Sequence, residues 1–328
     1  QEMTLLYPYM NGMEPDGINV EKINMVPVKD KRCKVRKYID LLIGRRHRFV
    51  EFAKEYIDIN RFDTVVFDSS TVSACLIEKF KMAGMRIITI HHNYEVEYIR
   101  ADGSILTKYP ELFWIKIQEK RAVCLSDLNL TLTNEDANLF RMHYSKEACY
   151  ETLGVYDYQP RKYNIVQNKQ RKHNYLITGG LGSKQNEKSL ISWLLKYFPI
   201  LKKVDPEAVL TLAGREPSTR LVKIAQSVGA EVIASPQEMY PILDKNDFYI
   251  CTTDCGGGLK LRIMDGLKGG MPVLTHIVSA RGYEKMVKEG ILGFFIAGPL
   301  LRMMNNDDKL SELYLKSPLA LEPNILNV

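Results

Sequence analysis

Cysteine is sparse, tryptophan is nearly absent and no long apolar run exists, and each shortage removes a class of protein. The cysteines stand at 33, 75, 124, 149, 251 and 255. They are too few and too scattered in 328 residues for a disulfide framework. Most lie in apolar or amphipathic runs, where a free thiol behaves as a small hydrophobe, so a reduced, cytoplasmic compartment is expected. Three residues separate Cys251 from Cys255, but no histidine cluster lies near them, which argues against a zinc site. The longest apolar stretch, Gly290–Leu301, is interrupted by glycine and proline and falls short of the roughly 20 residues a spanning helix needs. Any membrane is therefore met at its surface. No Asp-x-Asp motif appears in a suitable place, so no obligatory metal is expected, and no resident cofactor. The segment Gly179-Gly180-Leu181-Gly182-Ser183-Lys184 lacks the Gly-Lys-[Ser/Thr] of a P-loop. Gln185 stands where a dinucleotide fingerprint needs its last glycine, which disfavours a nicotinamide enzyme.

What is present is an ordinary globular composition. Hydrophobic residues make up 45% and charged residues 26%, enough for two α/β domains with separate cores. Short β-branched runs alternate with longer amphipathic runs, the sequence form of βα units around a parallel sheet. Strands are expected at 64–67, 86–90 and 128–133, with helices at 71–82, 112–123 and 135–142. The polar segment 156–173 reads as a connection between domains. A second series follows, with strands at 175–178, 209–213, 231–233, 248–251, 273–275 and 294–297. Its helices are expected at 189–202, 219–227, 237–243, 259–267 and 283–288. The expected domains are 1–160 and 161–328. The chain opens at Gln1 rather than methionine, so preceding residues are expected to be missing.

The net charge of +6 is concentrated. Lys29, Lys31, Arg32, Lys34, Arg36, Lys37, Arg45, Arg46 and Arg48 face only Asp30 and Asp40. Such a run suits an anionic membrane surface or phosphates, and equally a plain solvated face. Nucleic acid is not expected as a partner.

The strongest signal is Cys255-Gly256-Gly257-Gly258-Leu259-Lys260-Leu261-Arg262-Ile263-Met264-Asp265-Gly266-Leu267, followed by Gly270-Met271-Pro272-Val273-Leu274-Thr275. It reads as a glycine loop, a helix and a strand. Glycines let a backbone approach a ligand, and amides at a helix start attract phosphate. A tight turn with Arg262 pairing Asp265 on the surface is the plain alternative.

This segment resembles the signature of family 4 of the retaining glycosyltransferases. The family's ribose-binding glutamate falls on Asp265 and its phosphate-binding basic residue on Arg262. A second family glutamate falls on Gly257 and is absent. Ile177 to Gly182 resembles the first loop of the family's donor domain, and Ala213-Gly214-Arg215 its next strand end. Ser279-Ala280-Arg281-Gly282 resembles a loop whose glutamate is Arg281 here. His92-Asn93-Tyr94-Glu95 resembles the family's H-N-x-E, while the family's first strand and its glycine loop are not evident.

The resemblance implies the GT-B fold, two Rossmann-like domains facing each other across a cleft. It implies a nucleotide-sugar donor, a glycan, lipid-linked or protein acceptor, and retention of configuration. Gly180, Arg215, Gly257, Gly258, Lys260, Arg262 and Asp265 are the expected donor-binding residues. His92 and Glu95 are the expected catalytic pair, with His92 preferred to His91. Amides and basic side chains would stabilise charge on the departing diphosphate. A nucleotide-sugar epimerase on the same scaffold and a non-catalytic sugar- or nucleotide-binding protein are the alternatives.

Overall fold

Strands buried on both faces are mostly apolar, and their alternate residues feed two different cores. The inner strands of the second half of the chain are built this way. The computed structural model describes residues 3–8, 23–28, 32–42, 62–69, 74–101, 105–150, 173–268, 271–288 and 292–294. The chain divides into two compact units. Unit 1 comprises Gln1–Val96, Ile105–Leu132 and Asp136–Glu151. Unit 2 comprises Glu97–Ser104, Thr133–Glu135 and Thr152–Val328.

In unit 1, β1 (Met3–Pro8) and β2 (Ile23–Val28) form a parallel pair that the sequence pattern did not disclose. A four-stranded parallel sheet follows in the order β3 (Thr64–Asp68), β4 (Arg86–His91), β5 (Leu128–Thr131), β6 (Cys149–Tyr150). The helices of this half of the chain are α1 (Lys34–Leu42), α2 (Ala74–Met82), α3 (Glu95–Ala101), α4 (Ile105–Leu125) and α5 (Asn134–Tyr144), of which α3 from Glu97 onward and the first two residues of α5 belong to unit 2. Phe67, Leu76, Ile77, Phe80, Met85, Ile87 and Ala122 close the core of unit 1.

Unit 2 is a six-stranded parallel sheet. Its strands are β7 (Asn174–Gly180), β8 (Val209–Arg215), β9 (Glu231–Ala234), β10 (Phe248–Cys251), β11 (Val273–Thr275) and β12 (Leu292–Phe294). The order β12-β11-β10-β7-β8-β9 makes β7 and β10 neighbours from which the chain winds in opposite directions. That is the topological switch point, outside whose carboxyl ends such sheets bind ligands. Tyr175, Ile177, Leu210, Leu212, Phe248 and Ile250 enter one core, with Trp193 and Phe198. Leu176, Ala213, Tyr249 and Cys251 enter the other, with Ile263, Met264 and Leu267.

The helices of unit 2 are α6 (Lys184–Lys196), α7 (Phe198–Val204), α8 (Thr219–Ser227), α9 (Tyr240–Lys245), α10 (Arg262–Lys268) and α11 (Glu284–Lys288). The single helix expected over 189–202 is thus two, broken at Tyr197. Pro199 lies in the first turn of α7, where its missing N–H does no harm.

Among the cysteines, Cys33, Cys124 and Cys149 are exposed, against the expectation of apolar burial, and Cys251 is buried. Of the basic run, Arg32, Lys34, Arg36 and Lys37 lie at or within α1, and Lys34, Arg36 and Lys37 are exposed there. Lys29, Lys31, Arg45, Arg46 and Arg48 lie outside the described residues, as do 156–172 of the expected connection. No helix among the described residues is long and apolar enough to cross a membrane.

Candidate functional site

At the carboxyl ends of β7 and β8 the two backbones meet with nothing between them. Gly179 pairs with Gly214 and Gly180 with Arg215. A Cβ on Gly214 would overlap the carbonyl of Gly179, and one on Gly182 would overlap the carbonyl of Glu216. The Arg215 carbonyl accepts from the amides of Leu181 (3.0 Å) and Gly182 (3.2 Å). Asn186 Nδ2 donates to the Gly180 carbonyl at 3.1 Å. These bonds fix the loop, while open space surrounds the position of a Gly180 Cβ. The Arg215 side chain is exposed.

The neighbouring strand end brings the charges. Gly179 has a φ of 122°, a conformation that glycine adopts without penalty. A Cβ there would overlap the Arg262 guanidinium, so that cation lies across the backbone at the end of β7. Tyr249, fully buried on β10, shares a hydrogen bond of 2.6 Å with Thr178 Oγ1. Burial pushes its phenol far above the usual range; the Asp265 carboxylate adds to the rise and the Arg262 cation opposes it. Both half-buried charges therefore act on the same hydroxyl at the switch point. Gly266 completes the approach, because a Cβ there would overlap the Tyr249 ring. The absence of a side chain lets α10 lie close to the sheet.

The loop before α10 turns through Gly256 and Gly258, with φ of 83° and 76°. Lys260 was expected just inside the helix as a phosphate-facing cation. It precedes the helix, and its ammonium donates to the carbonyls of Gly256 (3.0 Å) and Gly257 (2.5 Å). Lys260 thereby closes the loop on itself. Ser189 Oγ donates to Asp254 Oδ1 at 2.5 Å, and Ser279 Oγ to the Thr253 carbonyl at 2.5 Å. These two bonds anchor the loop to α6 and to the segment after β11. No sequence signal pointed to Ser189 or Asp254. Arg281 Nη1 donates to Glu97 Oε1 at 3.2 Å, both residues belonging to unit 2.

Unit 1 carries the expected catalytic residues. His92 follows β4, and its Nε2 lies 2.6 Å from Asp68 Oδ1 at the end of β3. The Asp68 carboxylate raises the His92 pKa above the ordinary histidine value, and His92 lowers that of Asp68. His91 points the other way, into the core. It lies edge-on to Phe140 with Nε2 2.9 Å from Asn129 Oδ1. Asn129 Nδ2 donates to the Val123 carbonyl, so Asn129 Oδ1 accepts and His91 Nε2 holds the proton. Burial lowers the His91 pKa to about 4, leaving a neutral structural imidazole.

Glu95 is only 8% exposed, which sets it apart from a group reaching for an acceptor in solvent. Its amide donates to Glu119 Oε1 at 2.9 Å, and the Tyr144 hydroxyl donates to Glu119 Oε2 at 2.7 Å. Burial, helped by the neighbouring Glu95 and Asp136 carboxylates and opposed by the bonds from the Glu95 amide and the Tyr144 hydroxyl, pushes Glu119 up to about 8. Asp136 Oδ1 in turn accepts from the Tyr94 amide at 2.9 Å. Gly180, Arg215, Gly257, Gly258, Lys260, Arg262 and Asp265 thus gather within unit 2, and His92 and Glu95 lie in unit 1. No group of three or more potential metal ligands occurs among the described residues.

No protein-family model matches the chain. A curated relative, an uncharacterized 44.6 kDa protein of the cps region of Klebsiella pneumoniae, is 27% identical over 267 residues, 75% of this chain. The chain spans 64% of that relative's length. Among solved structures, it is similar to a mutant of TarM from S. aureus in complex with fondaparinux, alpha-GlcNAc-glycerol and UDP. The identity is 13% and the TM-score 0.58, over 81% of this chain and 54% of that one. A glycosyltransferase from Rickettsia africae matches with a TM-score of 0.57 and 11% identity, over 90% of this chain and 79% of that one. A candidate UDP-N-acetylglucosamine 2-epimerase from Listeria monocytogenes matches with a TM-score of 0.53 and 13% identity, over 96% and 91%. The fold is GT-B, with Rossmann-like units of parallel sheet.

Proposed function

We propose that the protein is a glycosyltransferase that moves a sugar from a UDP-sugar onto a glycan or lipid-linked acceptor. The observation that carries this reading is the Arg262 guanidinium lying across Gly179 at the switch point, with Asp265 one helical turn away. The cation suits a diphosphate and the carboxylate suits ribose hydroxyls. The UDP held by a structure of the same fold supports the choice of nucleotide.

In this reading the chemistry needs no covalent intermediate on the protein. The leaving diphosphate gathers negative charge, and Arg262 stabilises that charge from a fixed position. Gly180 leaves open space for phosphate oxygens that a side chain would fill, beside the Arg262 guanidinium that covers Gly179. Asn186 and Lys260 keep the two glycine loops in shape. Retention of configuration is what the family 4 resemblance implies, and the anomeric NMR signal of the product decides it.

Calorimetric titration with UDP tests the site. An ionised acceptor is worth about 1.5–3 kcal/mol, roughly ten- to a hundredfold in affinity. Asp265→Asn is expected to weaken UDP by that factor while leaving stability within about 1 kcal/mol. Asp265→Glu is expected to keep most of the affinity. Unchanged affinity in Asp265→Asn would remove this residue from the site. Incubation with donor alone separates the epimerase, which converts the nucleotide sugar without any acceptor.

A further inference from the structure

We propose that Tyr249 is a positioning residue for the nucleotide, its hydroxyl bond to Thr178 setting the width of the crevice at the switch point and thereby the seat of Arg262. The inference rests on the transferase reading and deepens it. Every residue it uses belongs to unit 2.

The two strands that flank the switch point part early. Strands β7 and β10 pair at Tyr175 with Phe248 and at Leu176 with Tyr249, and the ladder between them ends there. On its other side β7 stays paired with β8 as far as Gly180 and Arg215. Beyond Leu176, β7 is therefore held by β8 alone, and a crevice opens where such a sheet binds its ligand. Thr178 stands two residues past Leu176 and so on the same face. Its Oγ1 and the Tyr249 hydroxyl lie 2.6 Å apart and bridge the gap where the backbone bonds have stopped. Thr178 is 3% exposed and Tyr249 is fully buried, so either hydroxyl left alone there carries the cost of an unmet buried polar group.

The helix that carries the charges rests on the same two strand ends. A Cβ on Gly266 would overlap Cβ, Cγ and Cδ1 of Tyr249, which puts α10 directly on the ring. A Cβ on Gly179, next to Thr178, would overlap the Arg262 guanidinium. Arg262 and Gly266 are four residues apart on α10 and share one face. That face touches β10 at one end and β7 at the other, and the hydroxyl bond ties the two strands beneath it. Without the bond the ring still holds Gly266, but β7 is free to draw Gly179 away from Arg262. Burial keeps the phenol protonated, so the tie adds no charge beside the diphosphate.

The test uses the full chain as wild type, Tyr249→Phe, Thr178→Val, both together, and Tyr175→Phe as the control. Phenylalanine at 249 keeps the ring beneath Gly266 and removes only the oxygen. Each single variant of the pair leaves one buried hydroxyl without its partner. Denaturant unfolding is expected to show a loss that the double variant largely recovers. UDP affinity, read by calorimetric titration, is expected to behave differently. It should fall about two- to tenfold in both single variants and stay down in the double one, because the tie is missing from all three. Tyr175→Phe removes a buried hydroxyl of the same strand, bonded to Asp205 Oδ2 at 3.0 Å near the amino end of β7. It should lose stability and keep its UDP affinity.

Affinity that recovers with stability in the double variant, or that falls as far in Tyr175→Phe, overturns the proposal and makes both hydroxyls plain core packing. So does an affinity unchanged in Tyr249→Phe. If Thr178→Val does not fold, the comparison of Tyr249→Phe with Tyr175→Phe decides alone. Failure of the wild type to bind UDP overturns the transferase reading, and this role with it.

Discussion

The carboxyl edges of the two sheets are held by different materials. In unit 2 the backbones touch, with Gly214 against Gly179 and Gly182 against Glu216. In unit 1 side chains do the holding: His92 to Asp68, and Glu119 to the Glu95 amide and Tyr144. The difference teaches where each edge is vulnerable. A backbone contact has no room for one carbon atom, but it is indifferent to pH. A side-chain network accepts an isosteric exchange, but it answers to protonation.

The largest break in this comparison is expected from Gly214→Ala. Its methyl would meet a carbonyl of β7 that cannot move without the strand. Overpacking of this kind costs about 1–3 kcal/mol, occasionally more. Denaturant unfolding should show the loss, and UDP binding should go with it. A variant as stable as the wild type would mean that the two strand ends part easily.

Glu119→Gln comes next and tests the opposite edge. Glu119 is pushed up to about 8 when folded, above the ordinary glutamate value of 4.5. Its stabilising contribution is complete below the ordinary value and is lost as pH rises toward about 8. Glutamine has no charge to lose. Its oxygen can still accept from the Glu95 amide, and its amide can donate to the Tyr144 oxygen. Melting curves should therefore show a wild type that weakens between about pH 5 and 8 relative to Glu119→Gln, by at most about 1.4 kcal/mol per pH unit. His91 works with the reverse sign. Its folded pKa of about 4 lies below the ordinary 6.5, so its contribution is lost as pH falls between those values. Parallel curves for wild type and variant would show that Glu119 is ionised in the fold.

The smallest effect on stability is expected from Gly180→Ala, within about 0.5 kcal/mol. Nothing lies within 4 Å of the added carbon. UDP affinity should nevertheless fall, because the methyl enters the space proposed for the phosphates. A stability loss like that of Gly214→Ala would erase the distinction between the two glycines.

Much of unit 2 was legible because its constraints are local. The alternation of β-branched and amphipathic runs placed β7, β8, β10 and β11 to within a few residues, and Gly229 closed α8 as expected, with a φ of 80°. The glycine loop and the spacing of Arg262 and Asp265 stood out for the same reason. Unit 1 was less legible. Its β1–β2 pair carries no strong alternation, and Asp68 has no motif. Nothing near Glu119 announces that it holds the start of α3 through an amide 24 residues away.

The sequence by itself marked where the main strands run and where the backbone lacks side chains. Periodicity and glycine placement follow from the geometry of a few bonds along the chain. Only the tertiary structure decided which strand ends meet. The Tyr249 hydroxyl finds Thr178 across 71 residues because β10 lies beside β7. His92 finds Asp68 because β4 lies beside β3. Lys260 turns onto the carbonyls of its own loop, a choice that its charge alone left open. Strand order brings distant side chains within bonding distance, and no local pattern encodes that order, because the inner strands β7, β8, β10 and β11 carry similar buried runs.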